Sequence, residues 1–360
     1  MVAEKTCSDQ VFIRKQEDIQ KVKDCTVLMG DIHIEGIDLG KIELSSLKKV
    51  HGDITVKNLK MTNLISFPKL EEARRLYFGN NIRLYQIDLP ELVFSTSIVI
   101  TKNSELNILD LNKFESARIF VLESSQIKIL KMERMQYARI FDIHNNSNLD
   151  SIELPLLKEC RDKLIISEND RLEKIYTPKL FTIDGGLLVD NNDSLMYLYN
   201  FFYLENIGDL ILNGNIEELY LKENAKINGK CQLSGPEPFI CEDLKSKIFK
   251  LTNVVCECGN KAAISNSAES PSGIKPKKLG YDNTKEIKNT NADEKLKNNV
   301  AAKIPGESKN NLNSGRMNRK VKSSSTKCRM IMSKENMLAI YLVFLSQVFL
   351  LHYLSYPNIF

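Results

Sequence analysis

Apolar positions along residues 31–230 fall into columns that recur about every 22 residues. FDIHNNSNLDSIELPLLKECRDK (141–163) aligns with LIISENDRLEKIYTPKLFTIDGG (164–186) and LLVDNNDSLMYLYNFFYLENIGD (187–209). Upstream stand LYFGNNIRLYQIDLPELVFSTS (76–97) and IVITKNSELNILDLNKFESARI (98–119). Each unit opens with a short alternating apolar strand, passes a polar turn, and adds two apolar anchors three residues apart. Looser units at 31–52, 53–75, 120–140 and 210–230 bring the expected count to nine.

The columns are specific. Asn81, Asn103, Asn146, Asn169 and Asn192 share one slot, which Leu59 and Ser125 fill in two other coils. Three residues on come Leu84, Leu106, Leu149, Leu172 and Leu195, and three further Ile87, Leu109, Ile152, Ile175 and Leu198. Proline recurs at Pro68, Pro90, Pro155 and Pro178. Val50, Ala73, Ala117, Ala138, Cys160, Ile183 and Ile207 close the coils.

Alternate strand residues share a face, so Leu164 with Ile166, and Leu187 with Val189, point inward together. One coil cannot bury them alone, whereas stacked coils form a continuous core. Each buried Leu, Ile or Val contributes roughly 1.5–3 kcal/mol. Leu149, Ile152, Ile166, Leu172, Ile175, Val189 and Leu195 are therefore expected in the core. A chain of amphipathic helices fails, because Asn-Asn or Pro interrupts every unit before three helical turns. The pattern predicts a β-rich solenoid. For the Asn slot two roles stand open: a side-chain ladder between coils, or a left-handed turn residue.

Composition adds an asymmetry. Residues 259–336 hold 17 Lys/Arg against 7 Asp/Glu, a net of +10, inside a chain whose total is only +4. The repeat body is therefore acidic, which argues against a nucleic-acid partner. The basic stretch, rich in Ser, Asn, Lys, Pro and Gly without apolar periodicity, is expected to be a disordered linker. No phosphate loop, HExxH, serine elbow or CxxC occurs, and His33, His51, His144 and His352 stand at no metal-ligand spacing. No catalytic residue, metal or cofactor is expected. Asp53, Asp142, Asp162, Asp184 and Asp209, beside Gly, Arg or Lys, suggest turns.

A solenoid needs caps at its open ends, and cysteines stand there. Cys7 and Cys25 flank the stretch before the first coil, and Cys241 is expected to pair with Cys256, with Cys258 as the alternative. Such a bridge contributes on the order of 3 kcal/mol in the chain-entropy model. Cys160 and Cys231 fall in inward slots as small hydrophobes. The expected organisation is an N-terminal cap (1–30), solenoid (31–233), Cys cap (234–258), linker (259–336) and hydrophobic anchor (337–360).

The C-terminus carries Ser323, Ser324 and Ser325, a polar spacer and then MLAIYLVFLSQVFLLHYL (337–354). That order matches a GPI-addition signal with Ser323 as attachment site; a transmembrane helix is the alternative. The opening MVAEKTCSDQVFIRKQ has no apolar h-region, so a secretory route implies an earlier start. Asn145 and Asn192 head the sequons Asn-Asn-Ser and Asn-Asp-Ser. Asn145 lies beside the slot, facing outward; Asn192 occupies the slot itself.

The opening DCTVLMGDIHIEG, the repeats of the ISENDRLEKIYTPKLFTIDGG type and the closing KINGKCQLSGPEPFIC resemble receptor L-domain repeats. With both Cys caps and the hydrophobic C-terminus, the chain resembles the fungal GPI-anchored family involved in cell-wall organisation and sporulation. The resemblance covers about residues 7–258 plus the tail architecture. It implies a right-handed receptor L-domain or leucine-rich-repeat-like coil stack. It also implies a non-enzymatic wall or plasma-membrane glycoprotein, held to the membrane by GPI lipid, with wall glucan as a candidate partner. A ligand-binding receptor-like ectodomain is the alternative function. Family tails tend to be rich in Ser and Thr, whereas residues 259–336 here favour Lys and Asn.

Overall fold

The computed structural model describes residues 4–37, 39–235, 238–252 and 254–259. They form a parallel β-solenoid of about 11 turns. One long sheet of 15 strands runs its length, and shorter sheets of four, three and two strands line another side. The count exceeds nine because coils exist where the columns fade. Thr6–Cys7 and Val11–Ile13 already pair in parallel with Val27–Leu28 and Ile32–Glu35. At the other end Cys231–Ser234 pairs with Glu257–Gly259. Residues read as caps thus contribute strands to the stack.

One coil shows the local logic. Phe94–Thr101 forms the long strand, its Ile98 and Ile100 inward, before Lys102 turns left-handed at φ 55°. Asn103 follows, and its carbonyl accepts the N–H of Leu106 in a tight turn. Ile108–Asp110 forms the short strand, then a second turn bonds the Phe114 N–H to the Leu111 carbonyl. The same second turn joins Phe67 to Leu70, Leu89 to Leu92, Leu154 to Leu157 and Thr177 to Leu180. The proline column occupies the second residue of those four turns, where its fixed φ suits the backbone.

Leu149, Ile152, Ile166, Leu172, Ile175, Val189 and Leu195 are all buried in one core that runs through the stack. Coils of different length stay in register through shifts at Val50/Asp53, Ala138/Ile140 and Ile183/Gly186. At the last of these a Cβ on Gly185 would collide with the Asp162 carbonyl, so the bulge requires glycine.

The Asn slot is a ladder. Asn81, Asn146 and Asn169 each donate backbone N–H and side-chain Nδ2 to the Oδ1 of the next slot Asn, at 3.0–3.2 Å. The left-handed conformation belongs to the residue before the slot: Asn58, Asn80, Lys102, Ser124, Asn145, Glu168 and Asn191 have φ of 51–58°. Both expected roles exist, on adjacent residues.

At the N-terminus a 3-10 helix, Gln16–Val22, follows the first coil. Buried Asp18 accepts the Arg14 and Lys15 N–H groups and pairs with Lys21, whose hydrogen bond leads in holding its pKa down to about 2. At the other end the helix Pro238–Thr252 packs against the last coils through Cys241, Leu244 and Ile248.

Candidate functional site

The space among Leu212, Leu233, Cys241 and Leu244 holds about 10 Å³, enough for one water at most. In the long sheet, residues that alternate with the core form rows, aligned by the parallel register. Tyr77, Val99, Val121, Asp142, Ile165, Leu188 and Ile211 make the central row. Ile119 and Ile140 stand beside it. This row faces away from the core, yet Val99, Val121 and Asp142 are buried by their neighbours on the face.

A charge lies inside that apolar surface. Asp142, only 2% exposed, holds Oδ1 at 2.9 Å from His144 Nδ1. His144 Nε2 lies 3.9 Å from Glu123 Oε1, and the Thr101 hydroxyl donates to the other Glu123 oxygen. Three successive long strands thus supply Thr101, Glu123, and Asp142 with His144. Burial works against protonation of His144, but the hydrogen bond and charge of Asp142 prevail, aided by Glu123 and Glu168, and raise its pKa above 6.5. Burial, with Glu123, also raises the Tyr77 phenol. The result is an apolar face with one charge-compensated centre, an arrangement suited to docking a partner. Among the described residues no cluster of three His, Cys, Asp or Glu is placed to hold a metal.

Turn chemistry does not describe Asp53, Asp142 or Asp162. Asp142 sits within the strand Tyr137–His144. Asp53 pairs with Arg74 and Arg75 across coils, and Asp162 with Arg139. Asp53 and Asp162 are partners of basic residues on neighbouring strands.

The cysteines correct the expected C-terminal pairing. Cys7–Cys25 forms with Cα atoms 5.9 Å apart. Cys241 bonds Cys258, not Cys256, and Cys256 bonds Cys231, which therefore is no free thiol. The cause is the last strand: Leu233 pairs with Cys258 in parallel register, which sets Cys256 beside Cys231 and Cys258 beneath the helix carrying Cys241. Cys160 remains free and buried, and burial pushes its thiol up to about 12.

Of the two sequons, Asn145 is exposed and its Nδ2 reaches only Ser124 Oγ, at 3.0 Å. Asn192 is buried, and its Nδ2 donates to the Ile166 and Asp190 carbonyls. The nitrogen that would carry a glycan is occupied inside the ladder, so the folded coil rejects Asn192 as a glycosylation site. Ser323 and the 337–354 segment lie outside the described residues. Among the described residues no helix is long and apolar enough to cross a membrane.

Residues 24–137 match the Receptor L domain family. The chain is also similar to the cell surface GPI-anchored protein ECM33 of Candida albicans, 25% identical over 167 residues. The first match agrees with the receptor L-domain-like repeats read from the sequence. The ECM33 match covers 45% of this chain and 40% of that protein, so the chain spans less than half the relative's length. No solved structure matches. The L-domain match ends at Tyr137, but Tyr137 itself pairs with Glu159 and the same coil geometry continues through Asn213. Sequence columns signalled the core of these coils; the Thr101–Glu123–His144–Asp142 cluster becomes visible only when coils are set in register.

Proposed function

We propose that this chain is a non-enzymatic, GPI-anchored glycoprotein of the fungal cell surface, which contributes to cell-wall organisation and to ascospore-wall assembly. The similarity to ECM33, whose name states cell-surface GPI anchoring, carries the reading. The Ser323 signal read from the sequence supports the anchor, and exposed Asn145 the glycan. The stack is closed by disulfides at both ends and filled by side chains. Such a body works by presenting a surface. Deleting the gene should sensitise vegetative cells to wall-perturbing dyes and yield fragile spores; normal resistance of both would overturn the reading.

A ligand-binding ectodomain is the second reading, favoured by the apolar face around Asp142 and His144. Ile140→Glu places a charge on that face without entering the core. Failure of this variant to complement the deletion, despite normal surface level, supports ligand binding; full complementation contradicts it.

A further inference from the structure

The second surface with unusual chemistry lies on the short-strand side, near the C-terminal end. Tyr197 and Tyr199 flank buried Leu198, so both project outward. Their rings stack at 5.1 Å with an interplanar angle of 7°, and Tyr220 meets Tyr199 at 5.2 Å, tilted by 57°. Tyr199 and Tyr220 are each nearly half exposed, at 47% and 46%. Two parallel rings and a third set at an angle form an exposed aromatic cluster.

Acceptors rim this cluster. The Tyr220 hydroxyl donates to Glu218 Oε2 at 3.0 Å, and the Tyr197 hydroxyl to Glu217 Oε2 at 3.5 Å. Each carboxylate keeps lone pairs for a further donor. Burial, Glu218 and the neighbouring phenols push Tyr199 up to about 12, so the rings stay neutral hydroxyl donors. Lys222 is committed to Glu205 and Lys247 to Asp243.

These features select among partners. An apolar protein surface would strip water from Glu217 and Glu218 without replacing their hydrogen bonds, which is costly. An anionic polymer meets the two carboxylates while the nearby lysines are engaged. A sugar ring satisfies both demands: its C–H face packs on a phenol, and its hydroxyls donate to carboxylates and accept from phenols. We infer that the Tyr197–Tyr199–Tyr220 cluster binds a neutral glucan chain, gripping it non-covalently. The choice of glucan over a cationic peptide rests on the wall placement proposed above. The anchor itself plays no part in this contact.

The experiment mixes the full chain, in mild detergent, with insoluble linear β-glucan and separately with polylysine beads. Wild type should sediment with the glucan, and Tyr199→Ala and Tyr220→Ala should each lower the affinity about tenfold, as loss of a buried aromatic contact does. Tyr199→Phe keeps the ring and should retain most binding. Because the chain has no Trp, tyrosine fluorescence should also shift on titration with soluble glucan oligosaccharides. Unchanged thermal unfolding of the alanine variants separates lost binding from lost fold. Equal sedimentation of all variants, a wild type that stays in solution, or preference for polylysine would overturn the inference. A protein that binds glucan through these tyrosines but is absent from the cell surface would contradict the proposed function and leave the binding site standing.

Discussion

Asn146 bonds Asn169 twice: its backbone N–H and its side-chain Nδ2 both donate to Asn169 Oδ1, at 3.1 and 3.2 Å. Asn169 in turn donates Nδ2 to the Ile143 carbonyl, one coil back. One carboxamide therefore satisfies backbone groups that stacking would otherwise leave buried and unpaired. Asn169→Ala should destabilise the stack by about 1–3 kcal/mol per orphaned group, read as a lower urea midpoint. The ladder reaches Asn103 and resumes at Ser125, whose N–H and hydroxyl both donate to Asn146. Ser125→Asn should join the two runs and gain about 1 kcal/mol. An unchanged midpoint for both variants would reduce the slot to a turn.

Two neighbouring core positions should respond in opposite directions. Leu172 is fully buried, so Leu172→Ala should cost about 2–5 kcal/mol. Thr177 is equally buried, in a column otherwise held by Phe67, Leu89, Leu154 and Phe201, and among the described residues its hydroxyl finds no partner. Thr177→Val keeps the shape and should stabilise by about 1 kcal/mol. Chemical denaturation of both variants checks the pair; a destabilised Thr177→Val would reveal a hydrogen bond the geometry lacks.

The cysteine pattern makes a mapping prediction. Non-reducing digestion and mass spectrometry should recover Cys7–Cys25, Cys231–Cys256 and Cys241–Cys258 as crosslinks. Cys160 should resist alkylation until the protein unfolds, since its thiol is buried and pushed up to about 12. A recovered Cys241–Cys256 crosslink would contradict the strand pairing of Leu233 with Cys258.

His144 gives a pH dependence of defined sign. Its folded pKa is raised above 6.5, with Asp142, Glu123 and Glu168 facing it. Its contribution is complete below 6.5 and fades as pH rises through the raised value. The wild-type midpoint should fall over that window, and His144→Gln should flatten the fall. A midpoint difference between the two that grows with pH would contradict the Asp142 contact.

Much of this was legible in the chain. The core columns were, because a coil of fixed length returns each inward residue to the same phase. Ladder and left-handed turn were not separable, since Asn80-Asn81, Asn145-Asn146 and Asn191-Asn192 put the same residue type in both places. The terminal coils escaped because Val11–Ile13 and Cys231–Ser234 lack the Asn and Leu columns that mark the others. Cysteine spacing does not choose between Cys256 and Cys258; a strand register does. Surface chemistry was least legible. Tyr199 and Tyr220 lie in different coils, and so do Glu123 and His144, so their contacts follow from stacking and not from local pattern.

The most direct test of the central claim, a GPI-held protein at the fungal surface, is release by a GPI-specific phospholipase. The gene would be expressed from its own locus with its natural upstream sequence, and membranes probed with antibodies to coil 76–97 and to segment 337–354. The account predicts that the lipase releases a coil-reactive product lacking the 337–354 epitope. An intact surface protein that keeps this epitope and resists the lipase, or a product confined to the cytosol, would contradict it.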